Sequence, residues 1–523
     1  MRRILRSPLL CVAMSIGLFT PILASDYLVL PDGSGDFPTI QEAIDHAVDG
    51  DVIQLGYGRF TGSGNRDLLY RGKAITVRSQ SGHPETCIID CEGSETNYVR
   101  AFVFDGEGPG SVLRGVTIER GYMDNLGLPM PYGGGILFIG NANPNIVNIT
   151  IRNCGAFAGG GFAAWPGSPR FTRCRFEQNG SCGGGGGICF DGSPEFTDCE
   201  FVDNAAQQGG GGLTVTGAGF ATLTGCLFAN NRLIEIGYGG GIEISFTTAA
   251  LSGCTFIDNS AIGDGGGLRC TPPPGRMDRG YPPDIAGGAI SAAEAFVTIS
   301  ECTMVGNYAR EGGTIGLVYG SGVDLHNSIL ASNASGAVFC ETDADTLSVL
   351  CTDIYQNTGG DWTGCVADQA GIHGNLSLDP LFCDLAGDDL TLPPDSPCAP
   401  ENSGGCGLIG AWPVTCGASS VGDEPPHAFG PLQIRVVPNP TPGACRIEMA
   451  VPTISNALVV VTDVAGKTVR ELNRGPLAAP PTGGASRLWD GRAANGQQVP
   501  SGIYFVRVRT AGGTAVRPVV IVR

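Results

Sequence analysis

Cys174-Arg-Phe-Glu-Gln-Asn179 recurs as Cys199-Glu-Phe-Val-Asp-Asn204, Cys226-Leu-Phe-Ala-Asn-Asn231 and Cys254-Thr-Phe-Ile-Asp-Asn259, and the reading of this six-residue unit decides the fold. Cys302, Met304 and Asn307 form a further copy, and Ser328, Leu330 and Asn333 another. The spacing between successive cysteines is 25, 27 and 28 residues, then 48, which implies one coil carrying a large insertion. Between the copies runs Gly-Gly-Gly-apolar, ending at Ile136, Phe162, Ile188, Leu213, Ile242 and Leu268 and loosening to Gly-Gly-Ala at Ile290. Alternating Cys and Phe place both side chains on one face of a short strand. The Asn then turns a corner, and the glycines allow positive φ and close backbone approach.

A repeat of this length fits two solenoids. Leucine-rich repeats share the period, but their convex side needs helix formers or leucines where this chain has glycine and polar loops. The expected architecture is therefore all-β: a right-handed parallel β-helix over residues 26–416, followed by a linker at 417–430 and a small antiparallel sandwich at 431–523. In that sandwich, Ala457 to Val464 reads as a strand, and Tyr504, Val506 and Val508 alternate with Arg507 and Arg509.

Outward from the repeats, residues 26–60 read as a cap. Thr39 and Glu42 suit a capping box, and Ile40, Ala43, Ile44, Ala47 and Val48 make one apolar stripe before Gly50. Such a helix closes the open end of a solenoid, which otherwise exposes its core and strand edges. Residues 365–416 read as a Cys-rich last coil and cap. Before all this, Arg2, Arg3 and Arg6 precede an apolar run from Leu9 to Leu23 and the small pair Ala24 and Ser25, the pattern of a secretory signal peptide spanning 1–25. Leu10 before Cys11 does not fit a lipid anchor, and no other stretch is long and apolar enough to span a membrane.

The chain has 523 residues, 83 of them Gly, with 42% hydrophobic and only 15% charged residues, so it can bury a large core. The formal charge of -19 disfavours nucleic acid and anionic membrane surfaces and leaves neutral or cationic partners.

With these residues assembled, resemblances can be named. The Phe-x-x-Asn and Gly-Gly-apolar pairs resemble repeats of polymorphic outer-membrane proteins and other pectin-lyase-like β-helices, over roughly residues 130–335. The segment from Asp32 to Asp45 resembles the N-terminal cap of pectin methylesterases. The tail, with Val461 to Gly466, Trp489-Asp-Gly491 and Val499 to Tyr504, is similar to the FlgD-like immunoglobulin fold, and Arg517 to Arg523 resembles a type IX sorting signal. The last two imply secretion and display on the outer-membrane surface of a bacterium, with the secretion machinery as a partner. The enzyme likeness stops at the cap: no Gly-His-Gly of polygalacturonases and no paired aspartates of pectin methylesterases are found.

The cysteine column of Cys174, Cys199, Cys226, Cys254 and Cys302 invites a redox or metal reading. Equivalent residues of successive coils stack about 4.7–4.9 Å apart, beyond the Cβ separation a disulfide prefers, so buried thiols packing as small hydrophobes are expected. The column of Asn179, Asn204, Asn231, Asn259 and Asn307 is expected to form an amide ladder, and Phe176, Phe201, Phe228 and Phe256 to stack inside. Cys87, Cys91, Cys383, Cys398, Cys406 and Cys416 lie in polar or Gly and Pro-rich surroundings and read as disulfide candidates in a secreted protein. Tight zinc spacing is lacking, and no metal site is assigned.

Function is expected at the insertion, Arg269 to Ala286, because long loops on a rigid solenoid carry binding residues. Asp264, Arg276, Asp278, Arg279, Tyr281 and Asp284 are its candidates. Such acids and arginines are the set with which β-helix lyases hold Ca2+ and a sugar carboxylate. Asp324 and His326 alternate onto one face of a strand without a nucleophile beside them, and the triplets at Asn148, Asn333 and Asn375 read as incidental. The leading expectation is a non-catalytic scaffold that binds carbohydrate or another surface. A polysaccharide lyase or hydrolase and a purely structural envelope protein are the alternatives.

Overall fold

The computed structural model describes residues 24–262 except 125–126 and 236–238, residues 286–416 except 311, and most of 434–521. The chain divides into two compact units, Met1–Gly417 and Ala418–Arg523.

The first unit is a right-handed parallel solenoid of four sheets, which the coils visit in the same order, the third sheet being present only in the middle coils. Sheet one has 12 strands, from Asp26–Val29 to Thr346–Leu350; sheet two has 11, from Gly58–Phe60 to Asp353–Tyr355; sheet three has 7, from Tyr122–Met123 to Tyr308–Ala309; and sheet four has 10, from Leu68–Leu69 to Gly336–Cys340. Register is continuous: Phe176 pairs with Phe201, Phe201 with Phe228, and Phe228 with Phe256. Their rings stack 4.7, 4.7 and 4.8 Å apart inside the barrel.

The corner after each Phe is made differently from the sequence expectation. The residue before the ladder asparagine, not the asparagine itself, takes the left-handed conformation: Gln178, Asp203, Asn230 and Asp258 have φ of 54°, 55°, 55° and 52°. Short polar residues tolerate this region best, and Asp and Asn fill three of the four positions. The asparagine that follows is buried and closes the hydrogen bonds. Asn204 Nδ2 donates to the Phe176 carbonyl at 2.9 Å and to Asn231 Oδ1 at 3.0 Å, and the pattern repeats from Asn179 to Asn357. Asp361 ends the row by accepting from Asn357 at 2.8 Å. Each rung satisfies backbone and amide groups that would otherwise lie buried and unpaired.

The middle glycine of each Gly run is demanded by close approach. A Cβ at Gly160 would meet the carbonyl oxygens of Gly185 and Gly180, and one at Gly185 those of Gly211 and Ala205. The backbone can make this corner only where no side chain intervenes.

The cap helix spans Ile40–His46, with Thr39 as N-cap accepting from the Glu42 amide. It buries Ile40, Ala43 and Ile44, with Ala47 also inside. Val48, read as part of the stripe, is 50% exposed, because the helix has already ended. The Asp51 carboxylate there accepts from the Val48 and Ser25 amides and turns the chain.

The far end departs further from expectation. After the 3-10 helix Gly364–Gln369, residues 376–416 do more than cap; they double back along the outer face of sheet two. Leu392, Cys398 and Ile409 pack on Ile329 and Ala331, and Leu390, Phe382 and Trp412 on Ile257 and Val305. Trp412 Nε1 donates to Thr255 Oγ1 at 3.0 Å.

The second unit has two antiparallel sheets, one of Ile434–Val437, Cys445–Met449 and Ala485–Trp489, the other of Ile454–Thr462, Thr468–Ala478, Gly502–Thr510 and Gly513–Ile521. Trp489, Val459, Val461, Tyr504, Val506, Val508, Val519 and Ile521 share its core.

Candidate functional site

Asp264, Arg276, Asp278, Arg279, Tyr281 and Asp284 lie in 263–285, outside the described residues. The coil that contains them rejoins sheet four at Ala286–Ala293, where Ile290 pairs with Ile242.

The structural columns stand as follows. Cys174, Cys199, Cys226, Cys254 and Cys302 are buried and unpaired. Cys174 donates to the Ile146 carbonyl at 3.3 Å and Cys199 to that of Thr197 at 3.4 Å, and burial pushes the thiols of Cys174, Cys226 and Cys302 up, away from the reactive thiolate. Of the disulfide candidates, Cys383 bonds Cys416 and Cys406 bonds Cys351, and a further bridge joins Cys340 to Cys365. Cys87, Cys91 and Cys398 are free, contrary to the loop reading. Cys87 begins the strand Cys87–Asp90 and all three are buried, so their surroundings are core. Cys398 donates instead to Asp353 Oδ2 at 3.3 Å, and burial pushes the Asp353 carboxyl up to about 6.

Two constellations escaped the sequence reading. On the N-terminal part of sheet two, Arg59, Asp90, Glu119, Arg120, Arg152, Glu177, Arg175 and Glu200 form an alternating ion-pair lattice. Arg59 bridges Asp90 at 2.6 Å and reaches Glu119, and Arg152 meets Glu119 at 2.8 Å. Burial alone would raise the Asp90 carboxyl, but hydrogen bonds from Arg120 and Arg59 hold it below its usual value. Every cation named is matched by an acid, so the lattice reads as coil-to-coil stitching.

On the outer side of sheet four, Glu243 sits in register between Thr214 and Ser291. Burial pushes its carboxyl up to about 7, and the buried Ser291 hydroxyl has no hydrogen-bond partner among the described residues. Neither feature follows from residue type; both need the strand register.

The open site lies on the outer face of sheet one. Its strands Thr248–Ser252, Phe296–Ser300, Gly322–His326 and Thr346–Leu350 run parallel, and they bound a cavity of about 290 Å³ lined by Thr248, Phe296, Thr298, Gly322, Asp324, Thr346 and Ser348, with Val297, Val323 and Leu347 between them. The Phe296 ring is 63% exposed and lies across Gly322, where a Cβ would strike its ring carbons. Thr298, Asp324 and Ser348 follow one another in register as the next column. The side chains of Thr248, Thr298, Asp324, Thr346 and Ser348 make no hydrogen bond among the described residues. Asp324 and His326 both face outward on their strand, as alternation requires, and His326 is half-buried. The result is an aromatic wall beside free hydroxyls and one carboxylate, the composition of a small-ligand subsite. Among the described residues, no three His, Cys, Asp or Glu side chains converge as a metal site would.

The architecture is that of a right-handed parallel β-helix. The chain belongs to the right handed beta helix region family, whose model matches residues 73–261 and 184–376, together more than half of the chain. The FlgD Ig-like domain model matches residues 441–514. No curated protein matches the chain. Among solved structures, it is similar to dimeric latent PorU from Porphyromonas gingivalis, at 20% identity and a TM-score of 0.15, covering 18% of this chain and 10% of that one. It is also similar to pectin methylesterase from carrot, at 14% identity and a TM-score of 0.25, covering 69% of this chain and 90% of that one. The chain thus spans a tenth of the length of the first of these.

Proposed function

We propose that the protein is a secreted or surface-displayed scaffold that binds carbohydrate without catalysis, through the outer face of sheet one. The observation that carries this reading is the Phe296 groove: an exposed ring packed against Gly322 beside hydroxyls and the Asp324 carboxylate that make no hydrogen bond among the described residues. A sugar offers an apolar ring face and a rim of hydroxyls, and this pairing suits both. The test is a glycan array and a reducing-sugar assay on purified residues 26–416. Binding that Phe296→Ala removes, with no sugar released, supports the reading; release of reducing ends, or binding indifferent to Phe296, overturns it.

One observation favours the enzyme alternative, a polysaccharide lyase or hydrolase. Glu243, in register between Thr214 and Ser291 on sheet four, is buried, and that burial brings its carboxyl near neutrality, as a general acid needs. Sugar release that Glu243→Gln abolishes would support that alternative instead.

Residues 1–25 are proposed as the export signal and the second unit as the address. Deleting Leu432–Arg523 is expected to leave the solenoid folded but misplaced, because each unit has its own core. Continued surface delivery of the truncated chain would count against that role.

A further inference from the structure

Beyond the cavity, the outward column of sheet one that holds Phe296 continues towards the N-terminal coils. Phe220 is 46% exposed and pairs in register with Thr248, which pairs with Phe296. Two exposed aromatic rings therefore share one column with a single strand between them. At 4.7–4.9 Å per strand they stand about 10 Å apart along the solenoid axis. That is close to the length of one disaccharide unit in an extended chain, so rings two coils apart meet equivalent faces of alternate sugars.

Charge narrows the occupant. Among the described residues, the only acidic or basic side chain lining the cavity is that of Asp324. The nearest arginine in its column, Arg170, lies four strands before Thr298 and is paired with Glu195 at 3.1 Å. A polymer of uronic acids would bring carboxylates against Asp324 with no Lys or Arg among the described residues of the cavity lining to receive them, in a chain whose formal charge is already -19. A hydroxyl-only glycan meets no such repulsion, and its hydroxyls can donate to Asp324 and to the column's Thr and Ser oxygens.

We infer that the occupant is a neutral, extended oligosaccharide lying along the solenoid axis, with Phe220 and Phe296 as its two stacking platforms. The inference rests on the carbohydrate-binding reading and adds chain direction, minimum length and charge class.

Calorimetric titration of the full chain would use neutral cello-, xylo- and manno-oligosaccharides of two to six units, oligogalacturonates of equal length, and cationic glucosamine oligomers, at low and moderate salt. At least one neutral series is expected to gain about tenfold in affinity between two and six units, with little salt dependence. Phe220→Ala should remove that gain, and Phe296→Ala should weaken every length. Oligogalacturonates should bind about tenfold more weakly than the best neutral chain of equal length at low salt. Equal or tighter binding of the uronates or of the cationic oligomers overturns the charge class. Flat length dependence, or a silent Phe220→Ala, overturns the extended pose while leaving carbohydrate binding intact. If no sugar of any series binds, the carbohydrate reading itself fails and takes this inference with it. Far-ultraviolet dichroism of both variants separates loss of binding from loss of fold.

Discussion

Across the same C-terminal coils, sheets one and two present opposite outer faces. On sheet two the outward positions Thr255, Ile257, Thr303, Val305, Ile329 and Ala331 are mostly apolar and all buried, because residues 376–416 return over them. On sheet one the outward positions Thr248, Phe296, Thr298, Asp324, Thr346 and Ser348 stay exposed. Both sheets are parallel with unbroken register across these coils, so strand pairing does not make the difference. What differs is whether the chain supplies its own cover. An apolar face covered from within is an extension of the core, whereas an aromatic and hydroxyl face left bare in a rigid stack is available to a ligand.

The largest expected effect falls on the covered face. The Cys351–Cys406 bond closes a loop across 55 residues and ties the returning segment down. Replacing both cysteines by serine should cost about 4 kcal/mol in denaturant unfolding, by the chain-entropy account. Glycan binding on sheet one should not change, and a matching loss there would break the independence of the two faces.

Next comes the asparagine row, which serves all sheets at once. Asn231→Ala removes the acceptor of the Asn204 amide and backbone N–H and the donor to Phe201, leaving buried groups unsatisfied. A loss of about 3 kcal/mol in thermal or denaturant unfolding is expected, at about 1–3 kcal/mol for each orphaned group with partial relaxation.

A smaller, pH-dependent effect concerns Asp353, which pins the returning segment through the Leu378 amide and the Cys398 thiol. Burial raises its carboxyl from 3.8 to about 6 in the fold, so the folded chain holds a proton that the unfolded chain has released between those values. Stability should therefore fall as pH rises from about 4 to about 6 and level off above, by about 3 kcal/mol at most. Unfolding midpoints measured across that range for the native chain and Asp353→Asn should show the slope in the first and its loss in the second. The opposite slope would mean that ion pairs such as Asp90 with Arg120 and Arg59, whose stability is lost on acidification, outweigh it.

The smallest effect on folding belongs to the open face. Gly322→Ala should change stability by less than about 1 kcal/mol, since the added methyl meets a side-chain ring that can swing away. The same change should disrupt the Phe296 platform and weaken glycan binding, and unaltered binding would show that the ring's placement does not matter.

The repeat made the fold legible because each of its positions has a packing role: the aromatic column, the thiol column, the amide row and the glycine corner all appear where spacing alone places them. The candidate site was not legible in the same way. Thr248 and Phe296 are 48 residues apart, separated by the irregular coil, and become neighbours only once strand register carries one to the other. Likewise Cys87 and Cys91 stand among polar residues in sequence yet lie in the core, and the apolar residues around Leu390 and Trp412 gave no sign that they would return to Ile257 and Val305.

Thus the amino-acid order by itself determined the solenoid, its cap and the separate sandwich, because those depend on contacts at a fixed period that any reader can count. The tertiary structure alone decided which sheet face is covered, which cysteines meet and where an open groove remains. Those outcomes depend on non-local contacts between segments with no common period, and the free energy of covering one face over another arises only when the coils are already stacked.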